Sequence, residues 1–245
     1  MKILLCASKT PDTTTKINFT ADKKSLDPAN VQYILNPYDD HGLARAMDIK
    51  EKTNGHLTVI HVGDNSAEPI LRRCLAIGAD EAVLVNAEAK EAYYVAQQIA
   101  NAVQGQTFDL IITGRESIDF NGNMVCDMLG EIMGIPSVGF TIDIQFNGGK
   151  ATIKRFIDGG EETVEVNTPV VLSATKELAE PRIPNMRGIM TSRTKPIKTV
   201  EAANVEALTE VVTFEPPVKK TSVKMIDAAE AGTLIDILHN EVKVI

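Results

Sequence analysis

Four short aliphatic runs recur along the first half of the chain, each followed by a segment of helical periodicity. The runs cover residues 2–7, 57–62, 82–85 and 109–113. Uninterrupted aliphatic residues predict strands that are buried on both faces of a sheet. The helical patterns cover about 38–53, 67–78, 89–104 and 122–133. Alternation of strands and helices predicts an α/β fold, in which helices cover both faces of a parallel sheet.

A turn signal separates two runs that favour extended backbone in the second half. Asp158-Gly159-Gly160 forms this turn, because glycine tolerates the positive φ that a tight hairpin requires. Residues 164–166 then alternate between apolar and polar, the period of a half-buried strand. Pro169 opens the apolar run 170–172, which predicts a central strand, since a strand's first residue can lack an N–H group. Residues 137–175 are therefore expected to extend the sheet through an antiparallel hairpin.

Core patterns thin out after residue 176. The chain continues as a proline-punctuated loop at 176–198, a short helix at 200–206, an extended arm at about 208–224 and a final helix at about 226–240. Such an arm has no core of its own, so it must lie on its own domain or on a partner chain. We therefore expect an α/β nucleotide-binding domain at 1–198 and a C-terminal arm at 199–245.

Composition narrows the classes of function. The net charge of −8 and pI of about 5.1 argue against a nucleic-acid-binding protein, which would present a basic face. No run of about 18 apolar residues is present, so no membrane insertion is expected, and the start of the chain predicts a cytoplasmic protein. Cys6, Cys74 and Cys126 are widely spaced and lack a CxxC pair. They predict neither a metal site nor a disulfide framework.

Four segments are expected at the carboxyl edge of the sheet, where ligands bind in open α/β folds. They are Ala7-Ser8-Lys9, Asn36-Pro37-Tyr38-Asp39, Val62-Gly63-Asp64 and Gly114–Val125. Helix N-termini at this edge offer free N–H groups and partial positive charge, which favour a phosphate. The chain has neither the GxxxxGK[ST] of P-loop proteins nor a GxGxxG after its first strand. Asp119 and Asn123 have an alternative role as helix caps.

The stretch from Ile153 to Met190 carries a resemblance to a known family. Its landmarks are Arg155, Asp158, Gly159, Gly160, Glu162, Val164, Pro169, Val171 and Leu172. Further landmarks are Asn36–Asp39, Ala76–Asp80, Gly114–Asp119, Glu180-Pro181-Arg182 and the terminal Lys243-Val244-Ile245. In this order and spacing the chain resembles the β subunits of electron transfer flavoproteins from Lys2 to its C-terminus. The resemblance implies a sheet similar to that of adenine nucleotide α-hydrolases and Rossmann-like proteins.

The resemblance also implies an adenine-nucleotide pocket. Its lining would be Ala7, Asn36, Pro37, Tyr38, Asp39, Val62, Gly114, Arg115, Glu116, Ser117, Ile118, Asp119, Phe120, Asn121, Gly122, Asn123, Met124 and Val125. Most of the family holds AMP there, whereas electron-bifurcating members hold a second FAD. We favour AMP. Lys9-Thr10-Pro11-Asp12-Thr13 resembles the bifurcating type but is one residue shorter, and Met124 stands where both types carry glutamine.

Residues 180–190 resemble the family's recognition loop, which docks on partner dehydrogenases. Met186 falls at the position of the apolar anchor, with Pro181, Arg182 and Arg187 beside it. Arg193, Lys195 and Lys198 add positive charge, which would steer an acidic partner. The alternative is a core-facing Met186 in a solvated basic loop.

The interpretation that follows is the β subunit of a heterodimer with a larger α subunit. FAD, held mainly by that α subunit, would take electrons from acyl-CoA or similar dehydrogenases and pass them to a quinone-linked oxidoreductase. The loop around residues 11–14 and Tyr38 would cover the flavin. We expect no catalytic residue in this chain and assign structural roles to His41, His56, His61 and His239. One alternative is an electron-bifurcating β subunit that oxidises NADH with its own FAD, and another is a universal-stress-like nucleotide-sensing module.

Overall fold

A nine-stranded sheet organises the chain, which the computed structural model describes at residues 1–218 and 222–245. The strands are β1 (Lys2–Cys6), β2 (Lys9–Pro11), β3 (Tyr33–Leu35), β4 (His56–Gly63), β5 (Glu81–Asn86), β6 (Leu110–Gly114), β7 (Ser137–Asn147), β8 (Lys150–Ile157), β9 (Gly160–Asn167), β10 (Val170–Ala174) and β11 (Ile197–Glu201). The helices are α1 (Pro37–Thr53), α2 (Glu68–Ile77), α3 (Ala92–Ala102), α4 (Val125–Met133), α5 (Met186–Ser192) and α6 (Gly232–Asp236). Shorter helical turns lie at Asn65–Ala67, Ala228–Glu230 and Ile237–Val242.

The sheet is mostly parallel, in the order β11-β5-β4-β1-β6-β10-β7-β8-β9. Every pair from β11 to β7 is parallel, whereas β8 and β9 run antiparallel. The predicted α/β class is therefore confirmed, and so is the antiparallel extension. β10 does not belong to that extension, because it inserts between β6 and β7 in the parallel part. β2 and β3 form a separate antiparallel ribbon that the sequence pattern did not predict.

Alternate residues of each buried strand enter two different cores. On β1, Ile3 and Leu5 pack on one face of the sheet with residues of α1 and α2. Leu4 and Cys6 pack on the other face with residues of α3 and α4. Because both faces are covered, each strand needs apolar residues at every position. This requirement explains why the strands appear in the sequence as continuous aliphatic runs.

Two predicted elements near residue 200 are wrong. The loop predicted at 176–198 contains α5, and the helix predicted at 200–206 is absent from the described residues, where strand β11 occupies Ile197–Glu201. β11 pairs in parallel with β5 along its whole length. The physical reason is that β5 would otherwise expose a row of unpaired backbone groups at the edge of the sheet.

The C-terminal arm is largely irregular and exposed. Gln98 of α3 holds its start, donating to the Ala203 carbonyl at 2.8 Å and accepting from the Ala203 N–H at 2.8 Å. Farther along, Phe214 stacks on Phe19 with 5.0 Å between the ring centroids. The predicted arm at 208–224 is irregular where it is described, and its residues 219–221 lie outside the described part. The predicted final helix appears as consecutive helical turns over 228–242. The domain boundary expected between residues 198 and 199 falls inside β11. The division into two domains stays a prediction.

Candidate functional site

A cavity of about 270 Å³ opens at the carboxyl edge of β1, β4 and β6, between the first turns of α3 and α4. The predicted residues that line it are Ala7, Asp39, Val62, Gly114, Arg115, Glu116, Ser117, Asp119, Phe120, Gly122, Asn123, Met124 and Val125. The other predicted residues, Asn36, Pro37, Tyr38, Ile118 and Asn121, lie outside the lining. The three strand-end segments therefore meet as the sheet topology requires.

Asn36 acts beneath the cavity as a brace for the loop after β6. Its side-chain amide donates to the Glu116 carbonyl at 2.8 Å, and its carbonyl oxygen accepts from the Ile118 N–H at 3.3 Å. Asn36 is fully buried, so its side chain replaces the water that these backbone groups would otherwise bind. A contact between Asn36 and a ligand is not needed to explain its position.

Asp39 contacts both the loop after β1 and Gly114, the last residue of β6. Its carboxylate accepts from the Ser8 N–H at 2.6 Å. A Cβ on Gly114 would lie 2.2 Å from Asp39 Oδ1, so only glycine fits against this carboxylate. Burial raises the pKa of Asp39 to about 7, although hydrogen bonds from Asn36, Ser8 and Gly114 act in the opposite direction. Asp39 is thus a buried carboxyl whose protonation changes near neutral pH.

The N-terminus of α4 borders the cavity with its backbone N–H groups free of side-chain caps among the described residues. Met124 occupies the cap position, and both Met124 and Val125 line the cavity. Asn121 and Asn123 precede it with positive φ values of 50° and 48°. The predicted alternative that Asp119 or Asn123 caps this helix is therefore wrong. An uncapped helix N-terminus favours an anion such as a phosphate.

The other helix at the cavity is already capped. Glu91 accepts hydrogen bonds from the Tyr93 N–H at 2.7 Å and the Tyr94 N–H at 2.9 Å at the start of α3. The Glu91 carboxylate thus brings a negative charge to this side of the cavity. An anionic ligand group is therefore favoured at α4 and disfavoured at α3.

Sequence reasoning missed a second group of lining residues. They are Cys6, Ile60, His61, Ala89, Lys90, Glu91, Ala92, Val95, Ile99 and Thr113, whereas Ser8 and Lys9, which also line the cavity, belong to a segment expected at this edge. The apolar ones form a floor of strand and helix side chains, as is usual in small-molecule sites. Residues 89–92 follow β5, whose carboxyl end lies at the same sheet edge. Ligands bind beyond the carboxyl ends of parallel strands. This rule predicts the loop after β5 for the same reason that it predicts Ala7 and Val62.

Two polar side chains of the cavity lining are held by the protein itself. The buried His61 places Nδ1 2.7 Å from the Ala7 carbonyl, and burial lowers its pKa. The Lys9 ammonium lies 2.5 Å from Ser66 Oγ and 4.6 Å from the centre of the Tyr33 ring. His61 therefore has a structural bond, as expected, but it also contributes to the cavity wall.

A second candidate surface is the docking segment, which we define as residues 183–193. Met186 begins α5 and is 73% exposed, and Met190, one helical turn later, is 67% exposed. The core-facing alternative for Met186 is therefore wrong. Asn185 fixes the start of α5 by accepting from the Gly188 N–H at 2.8 Å. Side chains four positions apart share one helix face, so the two methionines present one apolar surface.

The predicted neighbours of Met186 differ in their surroundings. Pro181 and Arg187 are exposed. Arg182 instead contacts α1, where its guanidinium lies 2.5 Å from Asp48 Oδ1 and 2.6 Å from Glu51 Oε1. Its charge is thus used within the chain, and Arg187 is left as the positive charge next to Met186.

Comparison with known proteins bears on both surfaces. The family model described as "Electron transfer flavoprotein domain" matches residues 25–205. A relative from Syntrophomonas wolfei, named "Electron transfer flavoprotein subunit beta", is 35% identical over the whole of this chain and 98% of its own length. Relatives of the same name from Bacillus subtilis and Bradyrhizobium diazoefficiens are each 32% identical over the full length of both chains.

The chain belongs to the electron transfer flavoprotein β-subunit family. This membership confirms the resemblance carried by the sequence motifs and excludes the universal-stress-like module. The matched range of the electron transfer flavoprotein domain includes the Gly114–Val125 loop and the docking segment. Full-length relatives extend the similarity over the arm. Within 1–218 and 222–245, no helix is long and apolar enough to span a bilayer.

Proposed function

We propose that the chain is one half of a heterodimeric electron transfer flavoprotein whose larger α subunit holds most of the FAD. The observation that carries this proposal is a row of large apolar side chains on the arm that are exposed in the isolated chain. They are Leu208, Val211, Val212, Val218, Val223, Met225, Leu234, Ile235, Val242, Val244 and Ile245. Many exposed large apolar side chains on one segment of the chain favour a protein interface there. The α subunit is the partner that covers it.

The complex would carry electrons from acyl-CoA or similar dehydrogenases to a quinone-linked oxidoreductase. FAD supplies the redox chemistry when it is bound. The residues of this chain would help to bind and orient the cofactor and would exclude water from it. Tyr38 and the loop at 11–14 would cover the flavin from the side of this subunit. Arg115 reinforces this cover, because its guanidinium carbon lies 5.0 Å from the centre of the Tyr38 ring and packs over it.

The cavity at the carboxyl edge holds AMP as a structural ligand. Its apolar floor fits the base, and the uncapped start of α4 fits the phosphate. Phe120 and Met124 line the mouth and are 59% and 47% exposed, so they are placed to cover the base. A volume of about 270 Å³ lies just below the usual range of about 300–1,000 Å³ for small-molecule sites, so a mononucleotide fits this cavity better than a dinucleotide does.

A second FAD is the alternative ligand of this cavity. Lys9–Thr13 favours it, because this segment resembles the bifurcating type of the family. Lys9 itself lines the cavity. With that ligand the complex would oxidise NADH and divide the electrons between two acceptors.

The docking segment binds the partner dehydrogenase. Met186 and Met190 supply an adaptable apolar contact, since methionine fits irregular pockets on more than one partner. Arg187 and Arg193 are exposed beside them. Their charge raises the rate of encounter with an acidic surface.

Extraction of the nucleotides from the co-purified heterodimer tests the ligand assignment. We expect one FAD and one AMP per heterodimer, measured by chromatography and mass spectrometry after acid release. Two FAD and no AMP would establish the bifurcating alternative. A chain that is purified without a larger companion and still turns over a substrate would contradict the heterodimer itself.

A further inference from the structure

The docking segment is held against α2 by two reciprocal clamps. From α2, Arg72 Nη1 donates to the Ser192 carbonyl at 2.7 Å and to the Lys195 carbonyl at 2.8 Å. In the opposite direction, Lys195 Nζ donates to the Leu75 carbonyl at 3.0 Å and to the Ala79 carbonyl at 2.5 Å. Each element thus binds backbone groups of the other. Carbonyl groups with a charged donor make stronger hydrogen bonds than neutral pairs do.

Backbone packing closes the space between the two helices. A Cβ on Gly188 would lie 2.1 Å from the Ala76 carbonyl oxygen, so α5 approaches α2 as closely as glycine allows. Arg182 fixes the other end of the segment on α1 through Asp48 and Glu51. The segment is therefore attached at both ends and along its middle.

Lys195 occupies a site that suits a cation. The C-terminal turn of a helix carries partial negative charge and unpaired carbonyl groups, and lysine side chains can satisfy both. Lys50 adds a second cation there by donating to the Gly78 carbonyl at 2.7 Å. Burial and the charge of Lys50 lower the pKa of Lys195, in that order. Lys195 is thus partly withdrawn from solvent and directed at α2, so it contributes little to the exposed basic surface.

This arrangement holds apolar side chains in water. Ile183, Met186 and Met190 are 91%, 73% and 67% exposed, and a free loop would fold such side chains onto the protein. A surface that is already in its bound conformation avoids the entropic cost of ordering during association. We propose that Arg72 and Lys195 are positioning residues that preorganise the docking segment for its partner dehydrogenase. The proposal rests on the docking function of this segment.

Lys195→Met with Lys198→Met as its control tests the proposal in the intact heterodimer. Lys198 is exposed and three residues away, so each variant loses one positive charge, and the control loses at least as much electrostatic steering as Lys195→Met does. We expect Lys195→Met to raise the KM for the reduced dehydrogenase about tenfold over the control, as expected when one or two side chains must be ordered on binding. The maximal rate, FAD content and AMP content stay unchanged.

Hydrogen exchange provides a readout that is independent of the partner. The Ile189 N–H bonds the Asn185 carbonyl at 3.0 Å, and we expect its exchange to accelerate in Lys195→Met but not in Lys198→Met. Lys195→Arg keeps a cation that reaches the same carbonyls and should recover most of the KM. Arg72→Lys keeps the charge but loses the paired contacts, so it should show a smaller rise and serves if Lys195→Met folds poorly.

Met186→Ala separates the two possible failures. If Met186→Ala leaves the KM unchanged, the docking function itself is overturned, and the positioning role with it. If Met186→Ala raises the KM while Lys195→Met and Lys198→Met behave alike, only the positioning role is overturned. The combination of Met186→Ala with Lys195→Met should fall short of the product of the single effects, because both act on one surface.

Discussion

Gly114→Ala is the most direct test of the contacts under the nucleotide cavity. The added Cβ would lie 2.2 Å from Asp39 Oδ1, 2.9 Å from Asn36 Nδ2 and 3.0 Å from Tyr38 Cβ. Asp39 would have to retreat by roughly 1 Å to reach an ordinary contact distance. That movement breaks its hydrogen bond with the Ser8 N–H, now 2.6 Å long.

The expected fall in the free energy of unfolding has two sources, the overpacking around the new Cβ and the lost hydrogen bond of Asp39. Overpacking costs about 1–3 kcal/mol, and above pH 7, where Asp39 is ionised, a buried bond to its charged carboxylate contributes about 1.5–3 kcal/mol. Because Asp39 is 2% exposed, water does not replace the lost partner. We therefore expect the free energy of unfolding to fall by about 3–5 kcal/mol in Gly114→Ala. The loop after β6 also shifts, so the heterodimer should lose its AMP.

Gly122→Ala is the matched control within the same loop. Its Cβ would meet only Met124 Cε, at the ordinary distance of 3.7 Å, so we expect a change within about 0.5 kcal/mol. Urea denaturation of the isolated full chain measures both variants, and nucleotide extraction from the heterodimer measures the ligand. A Gly114→Ala chain with the wild-type urea midpoint and its full AMP content would refute the reasoning.

Three further predictions concern single side chains. Met186→Ala should raise the KM for the partner dehydrogenase and leave the flavin content unchanged. Ile157→Ala, an exposed apolar control on the hairpin, should change neither quantity. Equal kinetics for the two variants would disprove the docking assignment. Between pH 4 and 7, Asp39 keeps its proton in the folded chain and releases it in the unfolded chain. The contribution of Asp39 to the free energy of unfolding therefore falls as pH rises, by up to about 4 kcal/mol. The stability difference between wild type and Asp39→Asn, measured in urea, should therefore change between pH 5 and 8, and a constant difference would contradict the assigned pKa. Phe120→Asp should expel AMP by placing a carboxylate at the cavity mouth, whereas Phe120→Leu should retain it; retention in both would remove Phe120 from the site.

Much of the cavity was predictable because it follows from the order of strands. Ala7 and Val62 end two aliphatic runs and Gly114 follows a third, and parallel strands bring their carboxyl ends to one edge. The roles of Asn36 and Asp39 were not predictable in the same way. Their side chains bond backbone groups of Glu116 and Ser8, and the sequence does not show which backbone groups lack a partner.

Strand β11 illustrates where local pattern fails. Residues 197–201 are too few to separate strand from helix by periodicity alone. The free edge of β5 decided the outcome, because pairing satisfies backbone groups along its whole length. Such a decision depends on a neighbour more than 100 residues away in the chain.

The order of apolar runs by itself determined the central buried strands and the two-sided sheet, because a buried strand needs apolar residues whatever its neighbours are. Only the tertiary structure decided that Arg72 of α2 bonds the end of α5 and the loop after it, and that Lys195 of this loop bonds the end of α2. Arg72 and the Ser192 carbonyl are 120 residues apart, and periodicity reports the face of an element rather than its distant partner. The physical reason is that a charged side chain bonds the nearest unpaired carbonyl groups, and packing alone brings the carbonyl groups at a helix end within reach of a side chain so distant in the sequence.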